Sequence, residues 1–370
     1  MLIRLLHLGT KTSSVALLLW LTISLPAQAE QLRVAIAQKI SQVQLSSSTS
    51  AIIDDGNGQK IGELQPQQGL IVRIGGDRIA IGRNLVAQLW VKPQPGGTVW
   101  IGDRWYRGSV QVIASDKQLL AINHVDLEQY LSSVLGAEMS PTFPLEALKA
   151  QAVAARTYAL YRRQSTTKKL FDLDNTQLSQ VYRGLSGESG STQAAVTATL
   201  GQIMTYRGKP ILAAFHAASG GHTENVEEIW SERVPYLRGV PDYDFGSPGS
   251  EWTQSFTSAQ ISQSLKVKQI NAIVPERLTQ FGSVVSLKIG GDTTQILTGA
   301  QVRTALKLRS LRFTIAPTPT GFIFTGRGYG HGVGMSQWGA YYLAEQGMTY
   351  PQILAHYYRD VSLNKLAVPN

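Results

Sequence analysis

The chain has 370 residues, 43% of them hydrophobic and 16% charged, with a formal net charge of +9. That is enough for a sizeable core and one to three domains by length. Cysteine is absent, which excludes disulfides, a thiol nucleophile and thiolate metal ligands. The positive charge is scattered and accompanied by no nucleic-acid motif, so it points to a solvated surface or to wall polymers and anionic headgroups, not to nucleic acid.

Residues 1–29 read as a secretory signal peptide: Arg4 and Lys11 precede an apolar run from Val15 to Leu25, followed by Pro26 and the small-residue step Ala27-Gln28-Ala29. The apolar run is short for a bilayer span, although an uncleaved anchor is the alternative. The expectation is export to the periplasm or extracellular cell wall, with no permanent membrane span after cleavage. From Gln31 to about Ile122 the pattern is β: LRVAIA, GLIVRI, RIAIG and TVWIGDRWYRGSVQVIA alternate or run apolar between Gly, Asp and Pro clusters. This 30–122 stretch is expected to form an N-terminal β-rich lobe or part of a common body. Trp100, Trp105 and Tyr106 have the shape to stack on sugar rings, but aromatic residues on strands more often fill a core.

Leu127, Tyr130, Leu131, Val134 and Leu135 form one apolar helical stripe, with Asp126 as its cap and Gln129 placed for a capping box. This helix is expected to end near Gly136. Glu138 then lies at the negative end of its macrodipole, where a carboxylate stabilises nothing. Pro144 starts a second helix, running to about Arg163 and rich in alanine, which predicts close packing on several faces. Arg156 among these alanines needs a buried carboxylate or a bound ligand. Further on, Asp172–Gly187 is loop-like, a short helix covers about Ser191–Leu200, and GQIMTY, RGKP and ILAAFH suggest a hairpin delivering His216 to ASGGHTEN. Helices near Ser258–Leu265 and 299–306, and two strands around PTPT, lead to GRGYGHGVGMSQWGA at 326–340. The fold class is α+β: mostly antiparallel strands around a central helical pair at about 126–163.

Glycines 326, 328, 330 and 332 carry Tyr329 and His331 into a helix expected from about Ser336. The segment matches neither the dinucleotide fingerprint nor the P-loop, so a substrate-contacting loop is favoured over a nucleotide site. Zinc would need His216, His222, His331 and a carboxylate to converge, and there is no H-E-x-x-H motif. Ser219 lacks the G-x-S-x-G elbow of a hydrolase nucleophile. Glu138 alone remains open between a catalytic acid and an ion-pair partner, for instance of Arg156.

The stretches YLSSVLGAEMSPTFPLEALKAQAVAARTYAL, SQVYRG, FHAASGGHTE, VPYLRGVPD and GRGYGHGVGMSQWGA resemble, in order, the SpoIID/LytB family, over roughly Leu32 to the C-terminus. The resemblance makes 123–370 the catalytic region and implies a role on peptidoglycan glycan strands. Sporulation members of the family are lytic transglycosylases. They cut between N-acetylmuramic acid and N-acetylglucosamine, preferably in strands stripped of peptides, and leave 1,6-anhydromuramic ends. By position, the catalytic acid is Glu138 of Glu138-Met139-Ser140-Pro141, where Ser140 displaces the usual proline, and the functionally important arginine is Arg156. Some relatives bind zinc through cysteine and histidine, but Ser179 stands at the cysteine position and no histidine lies between Arg156 and His216, so neither metal nor cofactor is expected. Arg156, Ser219, Gly220, Gly221, Thr223, Tyr329, His331, Gln337 and Trp338 are the expected substrate contacts. A raised Glu138 pKa is expected from the helix C-terminal field and apolar neighbours such as Met139. The LytB side of the family implies an alternative: a wall-binding enhancer whose partner is a cell-wall amidase.

Overall fold

The computed structural model describes residues 30–166, 169–177, 179–230 and 232–366, and the expected signal peptide lies outside them. The alternating segments fold as expected into antiparallel strands. Six form one sheet, in which Gln31–Ile40 pairs with Gln118–Asp126 in the register Leu32↔Val125 and the short Leu173–Asp174 adds a seventh, parallel strand, and six form a second. Each strand turns one row inward: Leu45, Val72, Ile79, Leu89, Val91, Val110 and Val112 are fully buried and belong to a single apolar cluster. Trp100 faces Trp105 across the Thr98–Ile101/Arg104–Arg107 pair, ring centroids 5.5 Å apart, and Tyr106 is buried.

The strand Gln118–Asp126 runs directly into helix α1 (Leu127–Glu138), so the sheet fixes where that helix begins. Asp126 caps it, accepting from the N–H groups of Glu128 and Gln129. α1 passes through Gly136 instead of stopping there. A Cβ at Gly136 would lie 2.1 Å from the Gly187 carbonyl oxygen, so this glycine permits the 3₁₀ turn Gly184–Gly187 to close on the helix. Helix α2 (Leu145–Ser165) follows, and Ala147, Ala150, Ala152, Ala154, Ala155 and Ala159 are all fully buried. The small side chains let helix α3 (Gly190–Ala198) and the strand Gln202–Tyr206 pack against α2. The N-terminal strands and the α1–α2 pair share one apolar cluster, so no core boundary falls at 122.

The expected hairpin is shorter than its sequence suggests. Gln202–Tyr206 pairs with Lys209–Pro210 and, on its other edge, with Ser362–Lys365. ILAAFH leaves that sheet, and only Phe215–His216 pairs again, parallel to Met335–Ser336. After α4 (Val226–Trp230) the chain builds a lobe with its own core. Two three-stranded antiparallel sheets and helices α5 (Ser258–Leu265) and α6 (Gly299–Leu306) enclose Ile261, Val284, Leu287, Ile289, Val302 and Phe324. Arg312 ties this lobe to the main body, donating to the carbonyls of Gly220 (2.9 Å) and His222 (3.0 Å) and to Glu224 (3.2 Å). The 123–370 stretch therefore carries two cores. The chain returns through Gly321–Arg327 to α7 (Gln337–Glu345) and α8 (Tyr350–Tyr357), which pack on α2. Among the described residues no helix is long and apolar enough to cross a membrane.

Candidate active site

Glu138 is the last residue of α1, and the buried Met139 turns the chain away at its C-cap. Its Oε1 accepts a hydrogen bond from the Val181 N–H at 2.8 Å. That donor is held from both sides. The fully buried Gln180 donates to the Ala155 carbonyl of α2 (3.2 Å) and accepts from the Tyr130 hydroxyl of α1 (3.1 Å). The Tyr182 hydroxyl donates to Asn123 at 2.9 Å. Gln180-Val181-Tyr182 thus threads between the helices and presents its central amide to the carboxyl group. Burial pushes the Glu138 pKa up, against the opposing pull of the Val181 amide, Gln337 and the Arg183 charge.

This carboxyl group opens onto a cleft of about 900 Å³. Asn175, Ser179, Val181 and Arg183 line it beside Glu138. Phe215, His216, Trp230, His331 and Gln337 contribute from the main body, Arg303 from α6 and Tyr329 from the chain leaving the inserted lobe. His216 Nδ1 lies 3.1 Å from the Val333 carbonyl oxygen. A carbonyl only accepts, so Nδ1 carries the proton and Nε2 is left as a buried acceptor with no protein partner. Burial lowers the His216 pKa to about 4, and His331, whose ring centre is 5.3 Å away, is depressed for the same reason. Both rings are neutral near pH 7. The buried Gln337 side-chain amide faces Glu138, whose acid form it opposes. Among the described residues no group of three or more His, Asp or Glu side chains is placed to hold a metal ion.

The glycine-rich segment shapes this site by close approach. Gly330, at φ 124°, would place a Cβ 2.6 Å from the His216 Cβ, and Gly334, at φ 74°, would place one 2.0 Å from the Ala214 carbonyl oxygen. Larger residues would lift the 328–335 segment off the 214–219 segment and open the cleft.

Of the substrate contacts expected from sequence, Tyr329, His331 and Gln337 line the cleft with Glu138. The others stand elsewhere. Arg156 is fully buried and forms a two-pronged ion pair with Glu128, Nε to Oε1 at 2.8 Å and Nη2 to Oε2 at 2.5 Å, with Nη1 donating to the Gln202 carbonyl at 3.1 Å. The carboxylate it needed is the partly exposed Glu128 of α1, at the opposite end from Glu138. Ser219 donates to Asp242 (2.6 Å), while the Gly220 and Gly221 amides both donate to Asp244 (2.8 Å each). Thr223 Oγ1 accepts from the Val240 N–H at 2.9 Å. These four brace the loop through internal bonds. Trp338 turns from the cleft to Phe143 and Tyr341, at centroid distances of 4.8 and 5.2 Å. Sequence reasoning passed over Arg183, Trp230 and Arg303 as site residues and treated His216 only as a metal ligand. The Gln180-Val181-Tyr182 triplet was visible as a motif, but nothing local marks Arg303.

A stage II sporulation protein family profile matches residues 115–206, and a domain of unknown function matches residues 249–334, which coincides with the inserted lobe. An uncharacterised protein of Brachyspira hyodysenteriae is 38% identical over 267 residues, covering 70% of this chain and 72% of that protein. The stage II sporulation protein D of Bacillus subtilis is 36% identical over 264 residues, covering 66% of this chain and 76% of that protein. The amidase enhancer of Bacillus subtilis is 31% identical over 288 residues, covering 63% of this chain and 40% of that protein. The matched profile includes both helices and the strand Gln202–Tyr206, and with these relatives it places the chain in the cell-wall-related SpoIID/LytB family.

Proposed function

We propose that the protein is an exported lytic transglycosylase that cuts peptidoglycan glycan strands between N-acetylmuramic acid and N-acetylglucosamine, with Glu138 as the single acid and base. The observation that carries this reading is one carboxyl group, its pKa raised by burial, facing a long cleft that has no second carboxylate among its described lining residues. Hydrolytic glycosidases generally need two carboxyl groups, one to protonate the leaving oxygen and one as nucleophile or base for water. A transglycosylase needs one, because the C6 hydroxyl of the muramic residue is the nucleophile and is held intramolecularly at high effective concentration. Protonated Glu138 gives its proton to the glycosidic oxygen as the C1–O bond breaks. The carboxylate then takes the C6 hydroxyl proton as that oxygen closes on C1, leaving the 1,6-anhydro ring and a restored acid. The Val181 N–H steadies the anionic intermediate state without abolishing the acid form. His216 Nε2, a buried acceptor without a hydrogen-bond partner among the described residues, matches a hydroxyl or N-acetyl N–H group of a sugar.

Incubating the protein with peptide-free glycan strands and searching for anhydromuramic products by mass spectrometry tests the reading. No product from wild type, or equal product from Glu138→Gln, would sink it. The likeness to an amidase enhancer supports a second reading, a wall-binding protein that stimulates an amidase without cutting glycan. Stimulation of a purified cell-wall amidase by wild type and E138Q alike, with no glycan product from either, would favour that one.

A further inference from the structure

Arg303 is a cation of this cleft with no carboxylate partner among the described residues. It reaches the cleft from α6 of the inserted lobe, and its hydrogen bonding among the described residues is one contact, Nε to the Arg309 carbonyl at 3.3 Å. Burial lowers its pKa, so the guanidinium is partly stripped of water. Of the other arginines of the lobe, Arg312 pairs with Glu224, Arg327 with Glu251 and Arg277 with Glu228, while Arg309 donates to the Gly249 carbonyl and lies over the Tyr329 ring. A desolvated guanidinium without a carboxylate is unfavourable unless something else supplies the negative charge. Arg183, also on the cleft and also without a carboxylate partner among the described residues, adds a second positive charge, and Glu138 is the one acidic side chain among the described lining residues. The neighbouring His216 and His331 are neutral, so they neither compete for an anion nor repel it.

We infer that Arg303 is a specificity-determining residue that pairs with a carboxylate of the ligand. In the glycan of the proposed reaction that group is the lactyl carboxylate of muramic acid, which is charged only where no peptide is amide-linked to it. A planar guanidinium matches a carboxylate with two parallel N–H···O bonds, a fit that an uncharged amide does not reproduce. The inference rests on the glycan reading of this cleft. It adds that the inserted lobe, whose core is separate from that of the main body, carries the group that distinguishes a bare strand from a peptide-bearing one.

Binding measurements separate this idea from the catalytic one. Two ligands are compared by calorimetry with E138Q, which cannot turn them over: a peptide-free glycan oligosaccharide, and the same oligosaccharide with its lactyl carboxylates converted to methylamides. The free acid is expected to bind at least about tenfold more tightly, the range of a charge-assisted hydrogen-bonded pair. Adding R303Q should erase that difference while leaving affinity for the methylamide unchanged, and R303K should restore part of it. Equal affinity of E138Q for both ligands, or discrimination that survives R303Q, would overturn the inference and leave the cleavage reading intact. A loss of both ligands together in R303Q, with the thermal midpoint unchanged, would also overturn it, since Arg303 would then hold the sugar and not its charge. If E138Q bound neither ligand, the glycan reading itself would fall and the inference with it.

Discussion

Glu128 and Glu138 occupy the first and last turns of the same helix and meet opposite surroundings. Glu128 sits where the helix field favours an anion and is held by the two-pronged Arg156, which is itself enclosed by the Gln202 and Val196 carbonyls. Glu138 sits where that field opposes an anion, receives one backbone N–H, and faces a cleft. The first glutamate is held in place by a partner that completes its hydrogen bonds. The second is left with the freedom to change state. Such an acid becomes chemically useful by lacking a two-pronged counter-ion: Arg156 stays at the far end of the helix, and the Arg183 charge opposes the effect of burial without outweighing it.

Exchanging the functional group at each end tests this contrast. The largest effect is expected at the cleft: E138Q should lower glycan cleavage by about 10²–10⁴-fold, the usual contribution of a general acid–base group, with the fold intact by circular dichroism. At the other end, Arg156→Met should leave Glu128 unpaired beside a buried apolar chain and cost about 3 kcal/mol, toward the low end for a broken buried pair because Glu128 retains 23% side-chain exposure. Urea unfolding measures that loss, while activity per folded molecule should stay near that of wild type. A stable R156M that no longer cuts would instead make Arg156 a ligand-binding group and erase the distinction between the two ends.

A smaller effect is expected where the helix passes Gly136. Gly136→Ala would press a methyl group into the Gly187 carbonyl, forcing the 3₁₀ turn outward at about 1–3 kcal/mol, the range for overpacking. Because Gln180-Val181-Tyr182 leads into that turn, cleavage should fall along with the midpoint of thermal unfolding. A drop in midpoint with unchanged activity would show that the turn supports the fold without positioning the Val181 amide.

The local features of this site were legible in the chain. The apolar stripe of α1, its Asp126 cap and the alanine-rich α2 have periods and caps that depend on near neighbours, so sequence spacing places Glu138 at a helix end. The expected end of α1 near Gly136 falls two residues short, because the close contact with Gly187 that needs a glycine there joins segments that only the folded chain brings together. The same reason hides the Arg156 partner, which is on another helix, and Arg303, which comes from a lobe with a separate core. ILAAFH looked like the return strand of a hairpin since apolar runs do not reveal their pairing, and here the pairing is with residues near 335. The spaced glycines of 326–334 suggested a ligand loop. Much of their need comes instead from backbone packed against backbone, with Tyr329 and His331 left to face the cleft.

The gentlest test of the contrast uses pH and leaves every contact in place except one proton. Burial raises the folded-state pKa of Glu138 above the value it has in the unfolded chain. Between those two values the folded protein binds more protons than the unfolded one, so the contribution of Glu138 to stability falls as pH rises through that window. E138Q does not titrate at this position. Its stability relative to wild type should therefore be flat in acid below the ordinary glutamate range, climb as pH rises through the window, and level off above the folded pKa. Paired urea titrations at a series of pH values measure the difference directly, and titrations common to both proteins cancel. The climb should coincide with the loss of the protonated acid in the pH profile of glycan cleavage. A stability difference that stays constant across pH would mean that Glu138 ionises alike in both states, and the raised acidity range on which its role as a proton donor depends would be gone.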